Sequence, residues 1–324
     1  MKPRSPWNFP CFRAGVAFNK EPGDKHKRSR WFGTGCILQD GSLGVNGTRR
    51  IAFQGMPGAY SEQACRERFP GERYVPCKTF EDVFTMVEEG SAELGVVPVE
   101  NSMAGGISDS YDLLAAHHLH IVGEYYLKVS HCLLGIKGAR IENIHTVASH
   151  PQALAQCRAY IRKRGWNRNS VYDTAGAACD LAVRREPHEA AIASELCAEL
   201  YGLDILMRDI QENKKNTTRF LVISRTEWVP RDDGAHKTSL FFEVRNIPAA
   251  LYKCLGGFAT NNVNLTRLES RPIPGKHWSY HFHLDFQGRP DDPHCRLALE
   301  ELEFFTSNYK ILGCYPESPD TMDP

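Results

Sequence analysis

The stretch Asn216-Thr217-Thr218-Arg219-Phe220 decides how we interpret this chain. It follows a polar, turn-rich segment at 210–213 and leads into Phe220-Leu221-Val222-Ile223, an apolar run typical of a buried strand. Two threonine hydroxyls and one guanidinium therefore lie where a strand begins, a place from which side chains can face a cavity. A capped turn before a core strand would give the same pattern, so the other strand ends must decide between the two interpretations.

The composition is that of an ordinary soluble globular protein. Of the 324 residues, 42% are apolar and 24% are charged, which are usual proportions for this class. The length predicts two domains plus a tail. Lysine plus arginine equals aspartate plus glutamate at 39 each, so the net charge does not favour nucleic acid as a partner. No window reaches the roughly 18 apolar residues that span a bilayer, so we expect no membrane segment.

The eleven cysteines are odd in number and include no C-x-x-C pair. This spacing argues against a zinc site or a disulfide framework and favours a reducing compartment. Cysteines inside helical patterns, such as Cys157 and Cys179, are expected to be small core residues.

Residues 1–48 form a leader without sustained periodicity, and proline and glycine break it often. Its basic residues outnumber its acidic ones, as in organelle transit peptides, although it contains few serines. We expect either a transit peptide or a disordered extension. In both cases the leader lies outside the fold.

From residue 49 onward, short apolar strands alternate with helices, which predicts an α/β architecture with largely parallel sheets. In such sheets, ligands bind outside the carboxyl ends of the strands. Helix N-termini at those ends favour anions, so the polar residues there predict a small anionic ligand such as a carboxylate. Each of these residues could instead only cap its helix. The residues are Ser61, Asn101, Ser102, Ser149, Thr174 and Ser194.

The motifs of several common sites are missing. The sequence has no P-loop G-x-x-x-x-G-K-[ST], no dinucleotide-binding G-x-G-x-x-G and no G-x-S-x-G elbow. A metal site could be formed by His277, His281 and His283, but these alternate with aromatic residues on a predicted strand. We interpret this histidine face as solvated, and we expect no metal.

Five motifs resemble, in family order, those of the prephenate and arogenate dehydratases, and the likeness extends over residues 50–317. The segments 173–176 and 312–316 are similar to the plant plastid branch, whose members are called arogenate dehydratases. This branch implies a plastid (chloroplast stroma) location, with the cytoplasm as the alternative. The five motifs are Gln54-Gly55-Met56-Pro57-Gly58-Ala59-Tyr60-Ser61-Glu62, Pro98-Val99-Glu100-Asn101-Ser102, Ser149-His150-Pro151-Gln152-Ala153-Leu154, Asp173-Thr174-Ala175-Gly176-Ala177-Ala178 and Asn216-Thr217-Thr218-Arg219-Phe220.

The resemblance implies a two-lobed catalytic domain at 49–224, similar to periplasmic binding proteins, and a C-terminal regulatory ACT domain at 237–318. A linker at 225–236 would join them, and a tail would follow at 319–324. The implied reaction removes carbon dioxide and the ring hydroxyl together, giving phenylalanine from arogenate or phenylpyruvate from prephenate. Because aromatisation drives this reaction, no cofactor is implied.

The same resemblance assigns roles to residues. Thr218 would hydrogen-bond to and protonate the departing hydroxyl, with Asn101 and Glu100 as further catalytic residues. A free threonine is a poor acid, so it would act through a positioned hydrogen bond. Arg219 would pair with a substrate carboxylate, or else form a structural ion pair. The other expected substrate-binding residues are Ser61, Ser102, Ser149, Thr174 and Thr217.

Beyond the linker, the pattern predicts βαββαβ in about 80 residues, an order that is ferredoxin-like. The segment 269–272 (Glu-Ser-Arg-Pro) resembles the phenylalanine-binding motif of ACT domains. Its companion turn, 246–251, departs from the glycine-rich bacterial pattern, so a domain that only assembles the protein is the alternative to a regulatory one. The implied effector-binding residues are Asn246, Leu251, Glu269, Ser270 and Arg271. The predicted elements are strands at 239–244, 264–269, 278–286 and around Ile311, and helices from Pro248 and from about Pro293 to Phe305.

In this family the effector L-phenylalanine lies between paired ACT domains, so a homodimer or homotetramer is implied. A non-catalytic amino-acid or carboxylate sensor with an ACT domain would share the two-lobed cleft, but it would not need the stretch 216–220. Prephenate and arogenate differ only in a keto or an amino group on the side chain, and the plant-like motifs favour arogenate.

Overall fold

The structure, a computed structural model, describes residues 48–229, 234–273 and 280–319. These residues belong to a compact unit that begins at Gly47. The expected leader and tail lie outside the described residues except for their boundary residues 48 and 319, and so does His277 of the predicted histidine face.

The first part of the described chain forms most of one lobe, which we call the first lobe. Helix α2 starts at a capping box, as its sequence predicts: the Asp82 N–H donates to Thr79 Oγ1 at 3.1 Å, and the Thr79 N–H donates to Asp82 Oδ2 at 2.9 Å. The elements are β1 (Arg50–Gln54), α1 (Tyr60–Arg68), β2 (Arg73–Cys77), α2 (Phe80–Glu88), β3 (Leu94–Asn101), β4 (Gly105–Gly106), α3 (Ser108–Ala116) and β5 (His120–Lys128).

The chain then crosses to a second lobe and returns. Pro151 stands at the start of α4, where its missing N–H costs no helical hydrogen bond. The elements are β6 (Cys132–Gly135), a 3₁₀ turn (Ile141–Asn143), β7 (Thr146–Ser149), α4 (Pro151–Gln156), α5 (Arg158–Arg164), β8 (Asn167–Ser170), α6 (Thr174–Arg184), β9 (Glu189–Ala193), α7 (Glu195–Tyr201), β10 (Asp204–Met207) and, back in the first lobe, β11 (Thr217–Ser224).

Each lobe has one sheet, and both sheets are mixed rather than largely parallel as predicted. The first has the order β2-β1-β3-β11-β5 with β4 beside β3, and β11 runs antiparallel to both β3 and β5. The second has the order β10-β6-β9-β7-β8, and β6 is antiparallel to its neighbours. Strands β6 and β11 follow the two lobe crossings, so they do not enter their sheets through βαβ units. The predicted two-lobed α/β catalytic fold is confirmed.

The C-terminal domain has the predicted ferredoxin-like βαββαβ order, with a sheet ordered β13-β14-β12-β15. Helices α8 and α9 cover one face of this sheet, where Phe242, Phe258 and Leu284 are buried together. Strand β12 already begins at His236, the last residue of the expected linker. The elements are β12 (His236–Val244), α8 (Ala250–Thr260), β13 (Leu265–Pro272), β14 (Tyr280–Gln287), α9 (Pro293–Phe305) and β15 (Thr306–Pro316).

The other face of the C-terminal sheet packs against the first lobe. Phe241, Leu312 and Tyr315 belong to the same buried cluster as Val99 and Ile121 of that lobe. The backbones approach so closely that a Cβ added at Gly313 would overlap the Ile121 carbonyl oxygen. The first lobe and the C-terminal domain therefore share an apolar core.

This packing buries the histidine face, so its interpretation as solvated is wrong. His281 and His283 are 6% and 2% exposed, and the ring of His283 lies 4.9 Å from that of Tyr111 on α3. No described residue hydrogen-bonds to either ring nitrogen of His283. The predicted alternation along β14 is correct, but the first lobe, instead of water, covers the face that carries the histidines.

Burial of His283 predicts that acid weakens the fold. Desolvation, aided by His281 and Arg267 and opposed by Asp285 and Asp112, lowers the pKa of His283 from 6.5 to about 3. The unfolded chain therefore binds the proton more readily, so stability is lost as pH falls from about 6.5 to about 3. Replacing His283 with leucine should flatten the dependence of the unfolding free energy on pH by up to about 1.4 kcal/mol per pH unit.

Urea denaturation across this pH range measures that slope for the wild type and for His283→Leu. The exposed His294 of α9 provides the matched control, and His294→Leu should keep the wild-type slope. Equal slopes for the wild type and His283→Leu would contradict the assignment.

Candidate active site

Asn101 and Thr218 face each other across the β3–β11 pair, as the register of these strands requires. The Asn101 side-chain oxygen Oδ1 accepts the backbone N–H groups of Met103 and Ala104, each at 3.0 Å. Its amide nitrogen therefore points the other way and donates to Thr218 Oγ1 at 2.9 Å. Because Thr218 Oγ1 is the acceptor and no described residue accepts its own proton, the hydroxyl remains able to donate to a ligand.

Ser102 and Thr217 hold the loop in front of β11. Ser102 Oγ accepts the Thr217 N–H at 3.0 Å and donates to the Lys215 carbonyl oxygen at 3.2 Å. The Thr217 hydroxyl donates to the same carbonyl oxygen at 3.4 Å. Their side chains therefore fix the backbone that positions Thr218.

A pocket of about 300 Å³ lies between loops of the two lobes. The first lobe contributes the loop after β1 and the start of α1, and the second contributes the loops before α4 and α6. Two of the predicted substrate-binding residues, Ser61 and Thr174, are in its wall. The lining residues are Gln54, Gly55, Ala59, Tyr60, Ser61, His150, Tyr172, Asp173 and Thr174.

Two helices of nine or more residues begin at this pocket. Helix α1 starts at Tyr60 without a side-chain cap on its N-terminus, and α6 starts at Thr174 with Asp173 Oδ1 accepting the Gly176 N–H at 2.9 Å. Helix N-termini favour anionic groups. The pocket thus offers partial positive charge from two helices and one carboxylate, that of Asp173.

The loop after β1 depends on a glycine at its contact with the second lobe. Gly58 has φ 90°, and a Cβ there would lie 2.6 Å from Cys197 Sγ. Its carbonyl oxygen accepts the Ser194 hydroxyl at 2.6 Å. Ser194, identified in the sequence as a strand-end residue, therefore ties the second lobe to this loop.

Glu100 and Arg219 are not in the site, which corrects both assignments. They pair with each other across β3 and β11 and are adjacent to Asn101 and Thr218, so strand alternation turns them to the opposite face of the sheet. There Glu100 contacts Arg267 at 3.3 Å. These residues face the C-terminal domain instead of the cleft.

Arg219 forms the structural ion pair that the sequence left open. Its guanidinium donates to Glu124 at 2.9 Å, to Asp285 at 2.6 Å and to the Tyr315 hydroxyl at 3.0 Å, and the residue is 5% exposed. Burial would lower the pKa of Arg219, but these anionic neighbours hold it well above its ordinary value. These contacts hold the guanidinium on the face of the sheet that packs against the C-terminal domain.

Ser149 is likewise structural. It is fully buried, and its hydroxyl donates to the Ile192 carbonyl oxygen at 2.6 Å. The position at the end of β7 was predicted correctly, but the side chain links β7 to β9 instead of facing the pocket.

A chain of buried polar groups that sequence reasoning did not assign continues from Asn101 to the pocket. Asn101 Nδ2 donates to Asn216 Oδ1 at 2.8 Å, and Asn216 Nδ2 donates to Gln156 Oε1 at 3.0 Å. Gln156 Oε1 lies 2.6 Å from His131 Nε2, and His131 Nδ1 lies 2.7 Å from the Tyr60 hydroxyl. Asn216 and Tyr60 stand inside recognised motifs, but nothing local marks Gln156 or His131, because their partners are distant in sequence.

The expected effector residues are divided between two faces of the C-terminal sheet. Glu269 and Arg271 alternate with Ser270 on β13, and Arg271 donates to Asp112 at 2.9 Å and to Ser108 at 2.7 Å. Ser270 and Asn246 are exposed, and Leu251 packs on the C-terminal core. Arg271 therefore joins domains in this arrangement, while Ser270 lies at an open sheet edge.

Within the described ranges, no cluster of three or more histidine, cysteine or carboxylate side chains could hold a metal ion. Of the same residues, none form a helix long and apolar enough to cross a membrane.

The model of the prephenate dehydratase family matches residues 51–227. A protein of Komagataeibacter europaeus named bifunctional N-acyl-homoserine lactone acylase/prephenate dehydratase is 44% identical over 281 residues, which are 86% of this chain and 100% of that protein. The chloroplastic arogenate dehydratase/prephenate dehydratase 2 of Arabidopsis thaliana is 43% identical over 281 residues, covering 84% of this chain and 74% of the relative.

Among solved structures, the prephenate dehydratase of Arthrobacter aurescens in complex with L-Phe aligns with a TM-score of 0.76 and 31% identity. The alignment covers 83% of this chain and 90% of that structure. Asn101 and Thr218 belong to two of the family motifs. Neither is among the residues that line the pocket, and hydrogen bonds from Asn101 through Asn216, Gln156 and His131 connect the pair to Tyr60 in its wall. The chain belongs to the prephenate dehydratase family.

Proposed function

We propose that this protein is an arogenate/prephenate dehydratase, which removes carbon dioxide and the ring hydroxyl of its substrate in one aromatising step. The observation that carries this proposal is the hydrogen bond from Asn101 Nδ2 to Thr218 Oγ1. It uses the threonine oxygen as an acceptor and leaves the threonine proton for the departing hydroxyl. A non-catalytic sensor would have no need of a hydroxyl oriented in this way.

In this reaction the leaving oxygen gains negative charge as the carbon–oxygen bond breaks. A threonine hydroxyl is too weak an acid to protonate that oxygen early, so Thr218 acts as a fixed hydrogen-bond donor whose interaction strengthens in the transition state. The substrate carboxylates lie toward the N-termini of α1 and α6, beside Ser61 and Thr174. Aromatisation supplies the driving force, and no cofactor takes part.

The name of the Komagataeibacter relative also includes an acylase activity. Acyl transfer of the serine or cysteine type needs a nucleophile activated by a base. The Ser149 and Ser194 hydroxyls donate to carbonyl oxygens, and burial raises the pKa of the Cys197 thiol to about 12. These three groups are structural, and dehydration is the activity that we propose for this chain.

The domain boundaries follow the same proposal: a catalytic domain at 49–224, a linker at 225–236 and a regulatory ACT domain at 237–318. The effector is L-phenylalanine, the ligand of the Arthrobacter structure. Because Ser270 lies on the edge strand β13 and Asn246 is exposed, a homodimer or homotetramer would complete their site with a second copy. The chloroplastic names of plant relatives support a plastid location.

Replacing Thr218 with valine keeps the shape of the side chain and removes its hydroxyl. We expect kcat to fall by about 10²- to 10³-fold, as when one oriented donor is removed from other active sites. KM should change little, and Thr218→Ser should recover most of the rate. Thr146→Val, at the half-buried start of β7, controls for loss of a threonine hydroxyl elsewhere. A near-normal kcat for Thr218→Val would remove Thr218 from the mechanism.

The pocket also predicts a preference for arogenate over prephenate. Arogenate carries an ammonium group where prephenate has a keto group, and Asp173 offers the pocket a carboxylate. A charge-assisted hydrogen bond is worth about 1.5–3 kcal/mol, so kcat/KM should favour arogenate by about 10- to 100-fold.

Assays with each substrate offered separately measure this ratio. Asp173→Asn keeps an oxygen to cap α6 and removes the charge, so it should lower the preference about tenfold or more. Asp180→Asn on the exposed side of α6 is the control. An unchanged ratio in Asp173→Asn would exclude this contact as the cause.

Regulation is best tested by a point substitution. Deleting the C-terminal domain would remove Asp285 from Arg219 and Lys237 from Glu124 and would open the shared core. Ser270→Leu should raise the L-phenylalanine concentration for half-inhibition about tenfold or more while basal turnover stays normal. Thr266→Leu, also exposed on β13, is the control. A wild-type response in Ser270→Leu would contradict the assigned effector edge.

A further inference from the structure

One continuous chain of hydrogen bonds, which we call the amide chain, links five polar side chains. These are Asn101, Asn216, Gln156, His131 and Tyr60. It starts on β3 of the first lobe, passes through the loop before β11 to α4 of the second lobe, and returns to α1. It therefore bridges both lobes beside both crossings. Its inner members are shielded from water, since Asn216 is 1% exposed and His131 is 3% exposed.

The direction of this chain is fixed at one end. The oxygen and nitrogen of an amide side chain have almost the same shape, so only their partners tell them apart. The Asn101 oxygen accepts two backbone N–H groups, which can only donate. Asn101 must then donate to Asn216, and Asn216 must in turn donate to Gln156 Oε1. Each amide sets the orientation of the next.

This direction determines where His131 carries its proton. Gln156 Oε1 can only accept, so His131 Nε2 must be the donor across their 2.6 Å contact. Burial lowers the pKa of His131, opposed by its hydrogen bond to Gln156, so the neutral ring is favoured. In the neutral ring Nδ1 has no proton and accepts from the Tyr60 hydroxyl at 2.7 Å, while the Ser130 carbonyl oxygen, 2.9 Å from the same hydroxyl, is a second acceptor for that proton.

The surroundings of His131 add no other ionic partner for the ring. Its backbone N–H donates to Gln211 Oε1 at 2.8 Å, and its backbone carbonyl accepts the Ile210 N–H. The neighbouring Asp209 carboxylate accepts the hydroxyl of Ser130. The ring thus contacts only Tyr60 and Gln156 through hydrogen bonds of the described residues.

We propose that His131 is a positioning residue for the dehydration: as the neutral Nε2–H tautomer it anchors the amide chain that holds Asn101 against Thr218. This inference rests on the proposed function. When His131 donates to Gln156, Asn216 and Asn101 stay oriented, and the Thr218 oxygen remains an acceptor with its proton free. Without that donor, Gln156 can turn over and Asn216 can shift, so Asn101 keeps its direction but loses the support of Asn216, and its contact with Thr218 loosens.

Two substitutions of His131 separate this role from simple packing. Glutamine places an amide nitrogen near the former Nε2 and can still donate to Gln156, whereas asparagine reaches only as far as Nδ1 and cannot. His131→Asn should lower kcat by about 10- to 100-fold, the scale of a small misplacement of a reacting group. Its KM should stay within about threefold, and His131→Gln should recover most of kcat. Equal losses in the two variants, or a change confined to KM, would overturn the proposal.

Nitrogen-15 NMR of the imidazole tests the same inference without substrate. In the wild type at neutral pH we expect a proton on Nε2 and none on Nδ1 of His131. In Asn216→Ala the amide chain is cut and Gln156 is free to turn, so the Nδ1–H tautomer should gain population. An Nδ1–H tautomer in the wild type would overturn the proposal even if the enzyme turned over arogenate. Conversely, the predicted tautomer in a protein that converts neither substrate would refute the proposed function and leave the hydrogen-bond direction intact.

Discussion

The antiparallel pairing of β3 with β11 is the constraint on which the rest of the structure depends. It sets Asn101 opposite Thr218 and, one residue along, Glu100 opposite Arg219. Because neighbouring side chains on a strand point to opposite faces, the same two strands supply a donor to the cleft and a buried cation to the C-terminal domain. The two crossings between the lobes carry His131 and Asn216, through which Asn101 is connected to Tyr60 at the pocket.

This arrangement also links the site mechanically to the C-terminal domain. Burial alone would raise the pKa of Asp285, yet the Arg219 guanidinium holds it below its ordinary value. Removing one partner from a buried ion pair costs about 3–5 kcal/mol. If the C-terminal sheet moves relative to the first lobe, either Arg219 moves with it or the ion pair with Asp285 breaks at about that cost in free energy. Arg219 is next to Thr218 on β11. A shift of the C-terminal domain would therefore reach Thr218 through one neighbouring residue.

The sequence predicted most of the architecture, and its errors have physical causes. Alternation and turn residues located the strands, and Pro293 gave the start of α9. Glu100 and Arg219 were assigned to the cleft because a motif is contiguous in sequence, while a strand divides it between two faces. The histidine face of β14 was misplaced because its periodicity reports which residues share a side, but not whether water or another domain covers that side.

The residues that sequence reasoning missed are those whose hydrogen-bond partners lie far away in the sequence. Gln156 is an ordinary polar residue near the end of a short helix, and His131 precedes an apolar strand. Only the folded chain brings them to Asn216 and Tyr60, at separations of 60 and 71 residues. Thr218, by contrast, was assigned through the family resemblance of the stretch 216–220, although its partner Asn101 lies 117 residues away.

The most direct test of this account is a crystal structure with an unreactive substrate analogue bound in the cleft. We expect Thr218 Oγ1 to lie about 2.6–3.2 Å from the oxygen that would depart, within hydrogen-bonding distance, while Asn101 still donates to Thr218. An analogue bound with that oxygen away from Thr218, or an Asn101 side chain turned from it, would contradict the central claim.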